Sequence, residues 1–103
     1  MSEFLVRQRS VWPVDPATDR LRAELGARER ARAAELREAG ILLRLWRIPG
    51  TRDALGLYAA PDVTVLHDAL ASLPMFPWLH ITVEPLASHP QEIGPQERTH
   101  EDP

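Results

Sequence analysis

Three observations predict an α+β fold of element order β-α-β-β-α-β for this chain of 103 residues. Four short segments carry strand-like apolar patterning, two longer ones carry helical spacing, and Pro, Gly and Asp punctuate the joins. A helix between the first two strands and another between the last two is the split βαβ arrangement. It gives a ferredoxin-like, four-stranded antiparallel sheet with both helices on one face. Residues 1–90 are expected to form this single domain. Residues 91–103, rich in Pro, Gln and Glu, are expected to be a polar, disordered tail.

The first strand is expected over Phe4–Val11, with Phe4, Val6 and Gln8 on one face and Leu5, Arg7 and Arg9 on the other. Asp15 is placed to cap a helix whose first turn holds Pro16, where proline's missing N–H is harmless. That helix is predicted over Pro16–Ala39, rich in Ala, Leu, Glu and Arg, and Gly40 supplies a left-handed stop. Ile41–Ile48 reads as the second strand, Pro49-Gly50-Thr51-Arg52 as a turn, and Asp53–Ala59 as the third strand. Asp62 opens a short helix over Val63–Leu73, where Val63, Leu66, Leu70 and Leu73 recur at helical spacing. Pro74–Pro77 ends it, and Trp78–Val83 is the last strand. Because the second strand is apolar on both faces, the face without helices is expected to meet a second subunit.

Composition removes several classes. With 12 Lys+Arg against 15 Asp+Glu the formal net charge is −3, which argues against nucleic acid as a partner. No run of about 18 apolar residues is present, so no membrane span is expected. The amino terminus lacks the charged and apolar regions of a secretory signal, and a cytoplasmic location is expected. Without cysteine there is no disulfide, thiolate nucleophile or cysteine metal site. All basic residues are Arg, which removes lysine Schiff-base chemistry and favours bidentate grip on carboxylates. His67, His80 and His89 form no metal-ligand spacing, and Ser10, Ser72 and Ser88 lack a nucleophile setting. No Gly-rich phosphate loop occurs, so neither metal nor cofactor is expected.

One residue breaks its pattern. On the first helix Glu29 lies about 80° round from Leu21, between Leu25 at about 40° and Ala33 at about 120°, inside the apolar stripe. A carboxyl lodged between helix and sheet is desolvated and becomes a usable proton acceptor and donor. Arg32 and Arg22 flank the stripe and are available to pair with Glu29 or to hold an anion. The bland alternative is an off-pattern Glu paired with Arg at a subunit contact. Arg44 and Arg47 lie on opposite faces of the second strand, and a covered guanidinium there needs an acceptor or a cavity.

The chain resembles the muconolactone Δ-isomerase family. The resemblance is carried by Phe4-Leu5-Val6, Leu25 with Glu29, Leu45-Trp46-Arg47-Ile48 with Gly50, and Leu66-His67 with Leu70. It continues through Leu73-Pro74-Met75-Phe76-Pro77-Trp78 and Val83, Pro85, Leu86, His89 and Pro90. It implies a cofactor-free ferredoxin-like subunit assembled into a homo-oligomer, a decamer in the family, with active sites at subunit contacts. It also implies an activity in aromatic catabolism by the β-ketoadipate route: proton removal at C4 of a small anionic lactone and return at C2. Glu29 then corresponds to the family's helix glutamate and is the catalytic base, with Arg32, Arg44, Arg52 and Asp53 as substrate-binding residues. The chain departs from the family pattern in four places. Gly26, or its neighbour Leu25, stands for a Lys, Arg44 for a His, Thr51 for a His or Arg, and Ala54 for an Asn. Three functions are compatible with these residues: the lactone isomerase, an enzyme of altered lactone or tailoring chemistry on the same scaffold, and a non-catalytic small-ligand-binding oligomer. A cavity beside Glu29 with converging arginines separates the first two from the third.

Overall fold

The computed structural model describes residues 1–92. In chain order it contains β1 (Ser2–Ser10), α1 (Pro16–Glu38), β2 (Leu42–Arg47), β3 (Ala54–Ala60), α2 (Val63–Ala71), one 3-10 turn at Phe76–Trp78, and β4 (Leu79–Leu86). The sheet order is β2-β3-β1-β4, and each neighbouring pair is antiparallel. This is the ferredoxin-like α+β architecture.

The local chemistry behaves as the sequence dictates. The Asp15 carboxylate accepts the Thr18 backbone N–H at 2.8 Å and the Thr18 hydroxyl at 2.9 Å, fixing the start of α1 with Pro16 as its first residue. Gly40 takes φ of 76° just beyond the end of α1, a conformation that a Cβ would oppose. Asp62 caps α2 in the same way, accepting from Val65 at 2.9 Å.

The core lies between the sheet and both helices. Phe4 and Val6 of β1, Leu42 of β2, and Tyr58 and Ala60 of β3 meet Leu36 of α1 and Leu66, Ala69 and Leu70 of α2. The opposite sheet face carries Leu5 and Arg7, paired across the ladder with Leu57 and Leu55, which in turn face Arg44 and Trp46. No helix of the described chain covers it. Trp46 is exposed there, with the Arg44 guanidinium 5.0 Å from its ring centroid. Trp12 and Trp78 instead stack face to face, with centroids 4.6 Å apart and planes 2° from parallel.

Element limits shift in three informative places. β4 runs on through Pro85 to Leu86 instead of ending at Val83. It is an edge strand, where a residue without an N–H is tolerated. α2 stops at Ala71, two residues early, because Ser72 turns its hydroxyl back onto the Ala69 carbonyl at 2.6 Å. β3 starts one residue late, since the Asp53 backbone N–H donates to the Thr51 hydroxyl at 3.0 Å inside the turn. None of the described helices is long and apolar enough to cross a membrane. The tail expected to be disordered, residues 91–103, lies outside the described residues except for its first two.

Candidate active site

Glu29 occupies the middle of α1, on the same side as the buried Leu25 and Leu36, and is itself partly buried. Its Oε1 accepts the Met75 backbone N–H at 2.9 Å. The Leu73–Trp78 segment presents that N–H because its neighbours are already used: Phe76 N–H donates to the Leu73 carbonyl at 3.0 Å, and Trp78 N–H to the Met75 carbonyl at 2.9 Å. Burial pushes the Glu29 carboxyl above its ordinary 4.5, and the Met75 N–H draws it partly back. A carboxylate desolvated by burial and held by one backbone donor is a stronger base than one in water.

Beside it is a cavity of about 250 Å³ between α1 and the sheet. Its polar wall is made by Gln8, Ser10, Glu29, Arg30, Arg52 and Tyr58, and its apolar wall includes Ala33, Leu42, Leu45, Leu73 and Leu79. Tyr58 is 2% exposed. Burial foremost, and then the charge of Glu29, raise its hydroxyl above the usual 10, while a hydrogen bond with the Gln8 side chain acts the other way. The cavity thus combines a proton acceptor, a phenol that stays protonated, and guanidinium groups able to attract an anion. A separate hollow of about 320 Å³ between α2 and β4 is lined mainly by aliphatic side chains with His67 and Phe76, and contains no carboxylate.

Of the residues singled out from sequence, the structure brings Glu29 and Arg52 into one cavity. Arg32 is turned away, with Nε donating to the Ser72 hydroxyl at 2.9 Å and Nη1 to Glu35 at 3.3 Å. Arg44 lies over Trp46 on the uncovered sheet face. Asp53 is buried, and its Oδ2 accepts from Arg7 Nε at 3.0 Å and Nη2 at 2.9 Å. None of these three lines the Glu29 cavity of its own chain. Gln8, Arg30 and Tyr58 do, and sequence reasoning passed over them. The available signals were a polar Gln8 following Phe4 and Val6 on the inner face, and the chain's single tyrosine. Among the described residues no group of three His, Cys, Asp or Glu converges as metal ligands.

Residues 2–92 match the family model described as muconolactone delta-isomerase. The chain belongs to the muconolactone Δ-isomerase family. A muconolactone Δ-isomerase of Pseudomonas aeruginosa is 38% identical over 98 residues, covering 92% of this chain and 98% of that protein. One from Rhodococcus opacus is 31% identical over 93 residues, covering 90% of this chain and 99% of its own length. A crystal structure of muconolactone isomerase superposes with a TM-score of 0.78 at 35% identity, covering 89% of this chain and 95% of that one. The family match spans every described element, so Glu29, Arg52 and Tyr58 all sit within the shared scaffold.

Proposed function

We propose that this chain is an isomerase acting on muconolactone or a closely related small acidic lactone, with Glu29 moving the proton. The observation that carries this is the partly buried Glu29 carboxyl, raised above its ordinary value, at the wall of a cavity of about 250 Å³. The names of the relatives point to the same chemistry. A cavity just under the range of about 300–1,000 Å³ usual for drug-sized ligands suits a compact lactone.

In the reaction the Glu29 carboxylate takes the proton from C4 of the conjugated lactone. The C–H electron pair becomes a C3–C4 double bond, and the former C2–C3 pair delocalises towards the ring carbonyl as a dienolate. The same carboxyl returns the proton at C2, so the double bond has moved and Glu29 is ionised again. Atoms and charge balance with no redox change, and the step calls for no cofactor. One positioned group serving both transfers is the economical arrangement, since the intermediate does not have to turn over.

Arg52 supplies the cation for the substrate's carboxylate. Asp53 acts one residue along: gripped by Arg7, it holds the turn from which Arg52 projects. Arg32 and Arg44 reach substrate only from a neighbouring subunit, in a homo-oligomer of the decameric kind expected in the cytoplasm. The uncovered sheet face around Trp46 supports such an assembly.

The test is hydrogen exchange in deuterated buffer, followed by NMR, with muconolactone and related butenolide acids. Wild type is expected to move the double bond, with deuterium entering C2 to the extent that the Glu29 carboxyl exchanges its proton with solvent before returning it, and Glu29→Gln to lose both. Absence of exchange and migration across the substrates, or wild-type rates in Glu29→Gln, rejects the proposal.

A further inference from the structure

We infer that Tyr58, steadied by Gln8, is the hydrogen-bond donor to the lactone oxygen that gathers negative charge when Glu29 removes the proton. This rests on the isomerase reading above and narrows it: the substrate is an enolisable lactone held with its ring carbonyl at Tyr58.

The placement of the ring is the first support. Tyr58 lies on the inner face of β3, directly across the ladder from Phe4 and Leu42. An aromatic ring in that row could point into the apolar core, where its hydroxyl would need a buried partner. It leans along its own strand instead. A Cβ placed on Gly56 would fall 2.6 Å from Tyr58 Cε1 and 3.3 Å from Cδ1, so the ring lies over the one residue without a side chain. Gly56 precedes Tyr58 by two positions on the same face. Ala54, two further on, pairs with Gln8, and both Ala54 and Gln8 belong to the cavity wall. The lean therefore takes the ring from the core row towards the cavity, whose wall Tyr58 shares with Gln8.

The hydrogen-bond roles follow. Gln8 shares the cavity wall with Tyr58, and its amide group is able to donate to the phenolic oxygen. With the amide as donor, the phenolic hydrogen is left for a third group. Glu29 lines the same cavity, and its charge raises the Tyr58 hydroxyl. When Glu29 takes the substrate proton, that charge leaves the carboxylate and reappears on the lactone oxygen in the same cavity. A neutral donor already fixed in place by burial stabilises the dienolate more than the neutral lactone. That difference is what accelerates a reaction. Arg30 and Arg52 line the same wall, but their long side chains suit the substrate's permanent carboxylate better than a charge that comes and goes.

Because Tyr58 is the only tyrosine of the chain, tyrosine labelled with 13C at Cζ gives a single NMR signal from this residue. Two probes separate charge from shape: tetronate, a five-membered lactone carrying an enolate oxygen, and neutral 2(5H)-furanone. The Tyr58 signal is expected to move with tetronate much further than with furanone, whose carbonyl is uncharged. Tyr58→Phe is expected to weaken tetronate about tenfold or more, to weaken furanone much less, and to lower kcat on the lactone substrate about 10²–10³-fold with KM nearly constant. A Tyr58 signal unmoved by tetronate, or no binding of tetronate to wild type, overturns the inference. If Glu29→Gln abolishes exchange while Tyr58→Phe retains full kcat, the Tyr58 assignment falls and the isomerase reading stands. Tetronate binding that depends on Tyr58, in a protein that turns over no butenolide, has the opposite meaning. The oxyanion site then stands and the isomerase reading falls.

Discussion

Glu29 and the Met75 backbone N–H meet at 2.9 Å across 46 residues of sequence, tying the middle of α1 to the turn before β4. The bond fixes one carboxylate oxygen and leaves the other for chemistry. Glutamine in place of Glu29 keeps an acceptor for Met75 and removes only the ability to take a proton. Glu29→Gln is therefore expected to fold normally and to lose activity about 10²–10⁴-fold. Its stability should rise. Burial lifts the folded-state carboxyl above the 4.5 of an unfolded chain, so its favourable contribution is complete below pH 4.5 and is lost as pH climbs through the folded value. At neutral pH the ionised group works against folding, and glutamine relieves that. Calorimetry should show a Tm above wild type near pH 7, converging below pH 4.5. A Tm below wild type at neutral pH would mean that the carboxylate charge stabilises the fold.

The same direction of shift sets the pH dependence of turnover. The base must be ionised before it can act, so kcat/KM should fall on the acid side with a midpoint above 4.5. A stopped-flow absorbance profile of lactone isomerisation measures it. A limb at or below 4.5 would place the reacting carboxyl in water, outside the cavity described.

Most of the fold was legible because each element carries its own local reason. Asp15 and Pro16 start one helix, Gly40 stops it, and Asp62 starts the other, all through contacts within a few residues. Glu29 was legible for the opposite reason, as a charge inside an apolar stripe. What could not be read is what distant strands bring together. Nothing near Glu29 in sequence announces Met75, and nothing near Asp53 announces Arg7, also 46 residues away. Arg32 sits at the edge of the stripe as its angle implies, yet its long side chain swings to Ser72 at 2.9 Å. Backbone periodicity places a Cβ, and a guanidinium several bonds further out goes where an acceptor is. Tyr58 is not legible in the same way, because the lean of its ring depends on the space above Gly56, which no local pattern announces.

Asp53 and Arg52 adjoin in sequence and are expected to behave differently. The Asp53 carboxylate is buried and receives two hydrogen bonds from Arg7. Replacing Arg7 with Met leaves that carboxylate without its main partner and should lower unfolding free energy by about 1–3 kcal/mol in urea titrations. Arg52→Met removes a cavity-lining cation instead. It should raise KM for an anionic lactone about tenfold with little change in unfolding free energy, the size expected for one charge-assisted contact. Equal effects of the two substitutions on KM and on stability would contradict this separation.

Gly56→Ala tests how the cavity is built. The new Cβ would sit 2.6 Å from Cε1 of a tyrosine that is 2% exposed, closer than any relaxed contact. The ring is rigid and packed, so the ring or strand β3 has to move, at a cost of about 1–3 kcal/mol typical of overpacking. Gly56 has no positive φ, so the penalty comes from the clash and not from backbone strain. This makes it separable by a double-mutant cycle. In the Tyr58→Ala background the added methyl has nothing to strike, and Gly56→Ala should be close to neutral or slightly stabilising, since alanine restricts the unfolded chain. Denaturation of the two single mutants and the double mutant should show a coupling of at least about 1 kcal/mol. Additive effects would mean that the tyrosine ring does not lie over Gly56, and the route that takes it towards the cavity would be lost with it.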